Sequence, residues 1–240
     1  MNQELSGIVK YSETDETGRL SLPALVNYFQ DVAELHGAKL GIGYRFLQEQ
    51  NLAWLLSSWQ IVIDRMPDIT EEYTLQTWGW KFVGAFGMRN CILLDKGRRP
   101  LIRANSNWFL FDTKKQTPVR VPESMISAYG VHPRTDMNYA SRKVPDPDGG
   151  EKQEAITVVR QNLDTNHHVN NAQYIAMAED YLPEGFRTSE LRVEYKKQAR
   201  LGDVIVPFVL RREDCCQVSL RGEDGAPYAS MQFFGGTDLL

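Results

Sequence analysis

The chain carries one plan twice, and that duplication limits its fold more than any other feature. Shifting the sequence along itself by 149 positions lays Asp164 on Asp15 and, without a gap, Asp180 on Asp31. Between them Val169 falls on Leu20, Tyr174 on Leu25, Ile175 on Val26 and Met177 on Tyr28. Two identities alone weigh little; the shared helical spacing weighs more. Tyr174, Ile175, Met177, Ala178 and Tyr181 recur at i, i+1, i+3, i+4 and i+7, one face of a helix. Asn170 or Asn171 can cap its start and Pro183 ends it. In the first half Leu22, Leu25, Val26, Phe29, Val32 and Ala33 repeat the spacing. Ser21 can cap that helix, Pro23 is tolerated in its first turn, and a small apolar stretch prolongs it loosely to Gly41.

Alternating segments of strand type follow each helix. They cover 54–63, 73–80, 88–94 and 102–111 in the first half, and 191–195, 204–210, 216–220 and 228–234 in the second. Each half therefore reads as one strand, one long helix and about four antiparallel strands. A long central helix wrapped by a curved antiparallel sheet is the hotdog arrangement, so the expected class is α+β, a double (tandem) hotdog. The run Pro145-Asp146-Pro147-Asp148-Gly149-Gly150 can continue neither a helix nor a central strand. It sets the expected division at a first repeat over 1–143, a linker over 144–152 and a second repeat over 153–240.

Composition removes several classes of function. At 42% hydrophobic and 24% charged the chain is ordinary globular protein. No apolar run reaches the ~18 residues of a membrane helix, the nearest, 52–63, being broken by Ser57, Ser58 and Gln60. Residues 1–10 lack the basic start and apolar core of a signal peptide, so no membrane insertion and a cytoplasmic location are expected. A net charge of −4 argues against a general nucleic-acid binder. The three cysteines, Cys91, Cys215 and Cys216, fit neither a disulfide framework nor a zinc site and read as small buried hydrophobes. His36 and His132 have no metal partner at usable spacing, and Gly41-Ile42-Gly43 is not a phosphate loop, so neither metal nor cofactor is expected.

The chemistry concentrates in Asp164-Thr165-Asn166-His167-His168-Val169-Asn170-Asn171. Asp and Asn are common turn formers, and an arbitrary D-x-N-x-H string carries little information. Two features raise this one. It opens a strongly apolar helix, and the matching first-half segment keeps Asp15 but has Thr17 and Arg19 in place of Asn166 and His168. If the segment is extended, Asp164, Asn166 and His168 point to one side, with His167 on the other. The N–H groups near Val169 to Asn171, at the positive end of the helix, would then face a developing oxyanion.

The string, continued by Tyr174-Ile175, resembles the signature of the plant and bacterial acyl-ACP thioesterases. So do Arg103-Ala104-Asn105-Ser106-Asn107-Trp108 with Pro118-Val119-Arg120-Val121-Pro122 after it, Trp78 with Gly87-Met88-Arg89, and Glu194-Tyr195-Lys196-Lys197. The resemblance spans nearly the whole chain in order. It implies a double hotdog whose second repeat carries the catalytic Asp, Asn and His, and whose first repeat is associated with the acyl pocket. There is one departure. Where the plant enzymes read Glu-Tyr-Arg-Arg-Glu-Cys, this chain has Gln198 and Ala199 for the final Glu-Cys. Ala199 cannot attack, and the Gln198 amide can hold a water but cannot act as a base. Glu194, an even step away in a strand, either takes the place of the catalytic Glu that the resemblance implies at 198 or is a solvated edge charge, the second reading being preferred.

The expected function is hydrolysis of fatty acyl-ACP to free fatty acid and ACP in fatty acid biosynthesis. Asp164 serves as base or nucleophile, Asn166 orients it or the carbonyl, His168 hydrogen-bonds the reacting groups and protonates the leaving thiolate, and Gln198 fixes water. The carrier is acidic, so Lys196, Lys197 and Arg200 beside Gln198 are the first-ranked docking cations. Asn170, Asn171, Lys197 and Arg200 are the expected substrate-binding residues. The alternatives are an acyl-CoA thioesterase, a hotdog dehydratase, which the amides at 166 and 198 disfavour, and a non-catalytic acyl-binding protein. Pairing of two chains as a homodimer through exposed sheet edges stays open.

Overall fold

The computed structural model describes residues 3–237. Residues 1–2 and 238–240, the outer ends of the two expected repeats, lie outside the described residues. The chain groups into two compact units, Met1–Ser57 with Ile61–Ala140, and Ser58–Gln60 with Ser141–Leu240.

The first unit runs β1 (Gln3–Ile8), α1 (Leu22–Lys39), α2 (Tyr44–Glu49), β2 (Leu52–Ile63), β3 (Glu72–Val83), β4 (Phe86–Asp95), β5 (Pro100–Asp112), β6 (Thr117–Pro118) and α3 (Glu123–Tyr129). Its strand order is β1-β3-β4-β5-β2, with β6 beside β5. Ser21 caps α1 as its sequence predicts, its Oγ accepting the Ala24 N–H at 3.3 Å. Leu25, Val26, Phe29 and Val32 are fully buried on one face of that helix, against β1 and β3. Behind it, Arg89 on β4 donates to His36 Nδ1 and to Thr77 Oγ1, each at 3.1 Å, and lies over the Tyr129 ring. A guanidinium can only donate, so His36 Nδ1 accepts. Helices α2 and α3 were not foreseen. They close a separate cluster of Ile42, Leu47, Leu110, Val121, Met125 and Tyr129.

The second unit runs β7 (Glu151–Lys152), β8 (Ile156–Thr157), α4 (Asn171–Glu179), β9 (Phe186–Tyr195), β10 (Val204–Arg211), β11 (Cys215–Arg221) and β12 (Pro227–Thr237). Its order is β7-β10-β11-β12-β9, with β8 also on β10. Counted from its own first strand with the two-residue β8 left out, this is the order of the first unit. The two halves are hotdog repeats. The expectation of a long helix in each fails for the second: α4 has nine residues where α1 has 18, about 13 Å against 27 Å. It stops at Asp180, short of Pro183. Tyr174, Ile175, Met177 and Ala178 are its buried face, packed on β11 and β12.

The Pro-Asp-Pro-Asp-Gly-Gly run is bound down. Val144 is buried and its N–H donates to Glu194 Oε2 at 3.0 Å. The Asp146 carboxylate accepts from the hydroxyls of Ser219 and Ser230 and from Lys196 Nζ. Burial pushes Asp146 up, but these donors outweigh it and leave its carboxyl below the usual value. No helix among the described residues is long and apolar enough to cross a membrane.

Candidate active site

The D-x-N-x-H segment is a tight turn, not an extended strand. A 3-10 turn at Arg160–Asn162 leads into a bridge between Leu163 and Val169. Inside that bridge the Asp164 N–H donates to His168 O at 2.8 Å and the His167 N–H to Asp164 O at 3.1 Å. Asp164 Oδ1 accepts the N–H of Asn166 at 2.8 Å and of His168 at 3.3 Å. The expected common face is thus corrected, because these local bonds outcompete extension in a segment rich in turn-forming Asp and Asn. His167 sits at φ 60°, a left-handed conformation that costs a β-carbon-bearing residue about 1 kcal/mol. Asn166 and His167 are exposed, and Asp164 and His168 are half-buried.

The first repeat builds the same turn at the same offset of 149. Its 3-10 turn is Tyr11–Glu13 and its bridge joins Thr14 to Leu20. Asp15 N–H donates to Arg19 O at 2.8 Å. Asp15 Oδ1 accepts from the N–H groups of Thr17 and Arg19 at 2.8 and 3.1 Å. Gly18, at φ 77°, stands where His167 does. Ser21 and Asn170 cap the two helices. The aspartate therefore has a structural task in both repeats. In both repeats it performs that task through Oδ1, leaving Oδ2 without a hydrogen-bond partner among the described residues. Asn166 and His168 are what the second turn adds.

Two of the expected oxyanion donors, the N–H groups of Val169 and Asn170, are already taken. The Val169 N–H donates to Ala199 O at 2.9 Å and the Asn170 N–H to Asn162 O at 2.8 Å. The Asn170 side chain caps the helix by accepting the Ala172 N–H at 2.8 Å, and the Asn171 carbonyl accepts the Tyr195 hydroxyl. Sequence position near a helix start does not show which N–H groups the neighbouring loop consumes.

That loop is residues 196–203. Ala199 is fully buried. Its carbonyl takes Val169, and its N–H donates to the Tyr174 hydroxyl at 2.9 Å. Gln198 and Arg200, on either side of it, are exposed. Burial lowers the His168 pKa, the Arg200 guanidinium lowers it further and His167 adds a little, against the opposing Asp164 carboxylate. His168 is therefore a neutral imidazole near pH 7, better suited to polarising a carbonyl than to protonating a thiolate. Its Nδ1 is buried with no protein partner. Lys197 reaches Asp224 at 3.1 Å and lies over the Tyr228 ring. Lys196 is tied to Asp146 and Glu194.

Glu194 is a further correction. It is 9% exposed and holds Val144 rather than sitting as a solvated edge charge. All three cysteines are buried, and burial pushes the Cys91 and Cys215 thiols up to about 11, far from thiolate chemistry. Among the tryptophans, Trp78 donates to Pro133 O, Trp80 to Asn105 Oδ1 and Trp108 to Ser106 Oγ. Among the described residues no cluster of His, Cys, Asp and Glu is placed to hold a metal.

Comparison with known proteins agrees along the chain. A family model for the acyl-ACP thioesterase N-terminal domain matches residues 6–129, and one for the C-terminal domain of the same family matches 146–230. A chloroplastic palmitoyl-acyl carrier protein thioesterase of Gossypium hirsutum is 26% identical over 235 residues, covering 86% of this chain and 57% of that protein. An acyl-[acyl-carrier-protein] hydrolase of Cuphea viscosissima is 28% identical over 202 residues, 77% of this chain and 49% of its own. The chain spans about half the length of these curated relatives. An acyl-ACP thioesterase from Bacteroides thetaiotaomicron superposes with a TM-score of 0.90 at 22% identity, covering 98% of this chain and 97% of that one. The 12:0-ACP thioesterase from Umbellularia californica gives 0.83 at 18%, covering 98% and 96%.

Proposed function

The chain belongs to the acyl-ACP thioesterase family, and from that premise we propose that it hydrolyses a fatty acyl-ACP thioester to free fatty acid and ACP, in the cytoplasm, as a step of fatty acid biosynthesis. The observation that carries the reading is the contrast between the two turns. Both are held by an aspartate, and only the second bears an asparagine and a histidine.

Water held by the free Asp164 oxygen and the Gln198 amide attacks the thioester carbonyl, and its proton passes to Asp164. Neutral His168 donates to the carbonyl oxygen as negative charge develops there, with Asn166 orienting the same group. The C–S bond then breaks, and the departing thiolate takes the proton back from Asp164. No protein sulfur takes part.

An acidic carrier calls for a local positive surface on an acidic chain. Arg200 has no carboxylate partner for its guanidinium among the described residues. The Lys197–Asp224 pair is half-exposed, is weakly held in water and can open for a partner. Replacing Lys197 and Arg200 together with Ala is expected to raise KM for acyl-ACP and flatten its salt dependence. KM for a small acyl thioester without a protein carrier is expected to stay near the parent's. Acyl-CoA turned over as well as acyl-ACP by the parent would remove the carrier from the reading. A homodimer belongs to the same reading, through the sheet edge at β1, where Leu5 and Ile8 are exposed.

A further inference from the structure

The Ala199 peptide is held from both sides. Its carbonyl accepts the Val169 N–H at 2.9 Å, and its N–H donates to the hydroxyl of Tyr174, which is 2% exposed and lies one turn into α4. The two bonds tie the loop that carries Gln198 and Arg200 to the turn and helix that carry Asp164 and His168.

The first repeat supplies an internal control. There Leu20, the counterpart of Val169, donates to Pro67 O at 2.9 Å, so Pro67 occupies the place of Ala199. Proline has no N–H to give. Its would-be partner, at the position matching Tyr174, is Leu25, which has no hydroxyl and is fully buried. Donor and acceptor are thus both missing from the repeat that lacks Asn and His, while the carbonyl half of the clamp is kept. A bond needed only to fold a hotdog repeat would be expected in both.

We propose that Tyr174 is a positioning residue for hydrolysis: through the Ala199 N–H it sets Gln198 and Arg200 at the reacting groups. The inference rests on the site reading given under the proposed function. Tyr174 touches no reacting atom; it acts through the loop. A displacement of about 1 Å at such a site can cost a rate factor near 10².

The test compares Tyr174→Phe, Tyr174→Phe with Ala199→Pro, and His168→Ala. Tyr174→Phe keeps the ring, which packs against Tyr195 at 6.0 Å, and strands the buried Ala199 N–H. The added proline removes that N–H, as the first repeat does. Expected for Tyr174→Phe is a ~10- to 100-fold fall in kcat on a small acyl thioester without a protein carrier, where Arg200 has no docking role, with KM changed little. The acid limb of its pH profile should move to higher pH as Arg200 drifts from His168, which then faces Asp164 and His167 alone. The double variant should regain melting temperature but not kcat. If it regains kcat as well, the bond merely satisfies a buried N–H and the proposal falls. Parent-like kcat and pH profile in Tyr174→Phe, with His168→Ala inactive, overturn the proposal and leave the site reading intact. Parent-like turnover in His168→Ala overturns both.

Discussion

Asp164 does two things with two oxygens. Oδ1 closes the turn onto the N–H groups of Asn166 and His168, as Asp15 does for Thr17 and Arg19. Oδ2 is left for chemistry. The two tasks separate by substitution. Asp164→Asn keeps an oxygen acceptor for the turn and removes the base, so hydrolysis is expected to fall by ~10²–10⁴ with the melting temperature nearly kept. Asp164→Ala loses both and should also cost about 1 kcal/mol of stability. Asp15→Ala should cost similar stability with turnover nearly unchanged. Activity assays and thermal unfolding of the three variants check this, and a fully active Asp164→Asn would exclude the carboxylate as base. At this scale the residue types were legible and their directions were not. The triplet reads as one face only if the chain is extended, and whether it extends depends on bonds that sequence spacing does not reveal.

Elements were easier to read than residues. Ser21 and Asn170 are the caps, Leu22 to Val32 and Tyr174 to Ala178 are the buried faces, and the eight major strands lie where alternation put them, lengthened by one to five residues at an end. Periodicity reports a face packed on one partner, and these elements have one. The misses share a physical cause. Helices α2 and α3 and strands β6, β7 and β8 have two to seven residues, too few for a period to register. Glu194 is buried because a loop 50 residues upstream folds onto it, and no local pattern encodes that. The cap at Asn170 gives the element-scale prediction. Asn170→Ala strands the Ala172 N–H and should cost ~0.5–2 kcal/mol. As α4 has only nine residues, fraying should reach Tyr174, and Asn170→Ala should lower kcat along with the melting temperature. Asn170→Ser should restore both. Stability loss without any change in turnover would mean that the helix start is not coupled to the turn.

The duplication explains how one chain divides its work. Each repeat keeps the helix, the strand order and the aspartate-held turn that a hotdog unit needs to fold. The second adds Asn166, His168 and the Tyr174–Ala199 bond, while the first places Thr17, Arg19, Leu25 and Pro67 at those positions. The division was legible because a 149-residue shift aligns the two turns without a gap. The role of the Tyr174 hydroxyl was not legible, because a tyrosine on an apolar helix face reads as core until its hydroxyl is given a partner. The account therefore stands or falls on whether catalysis belongs to the second turn alone. The direct measurement is thiol release from acyl-ACP by His168→Ala and by Arg19→Ala, its counterpart in the first repeat, both shown to be folded by circular dichroism. The account predicts a ~10²–10⁴-fold loss for His168→Ala and near-parental turnover for Arg19→Ala. Equal losses in both, or near-parental turnover in His168→Ala, would contradict it.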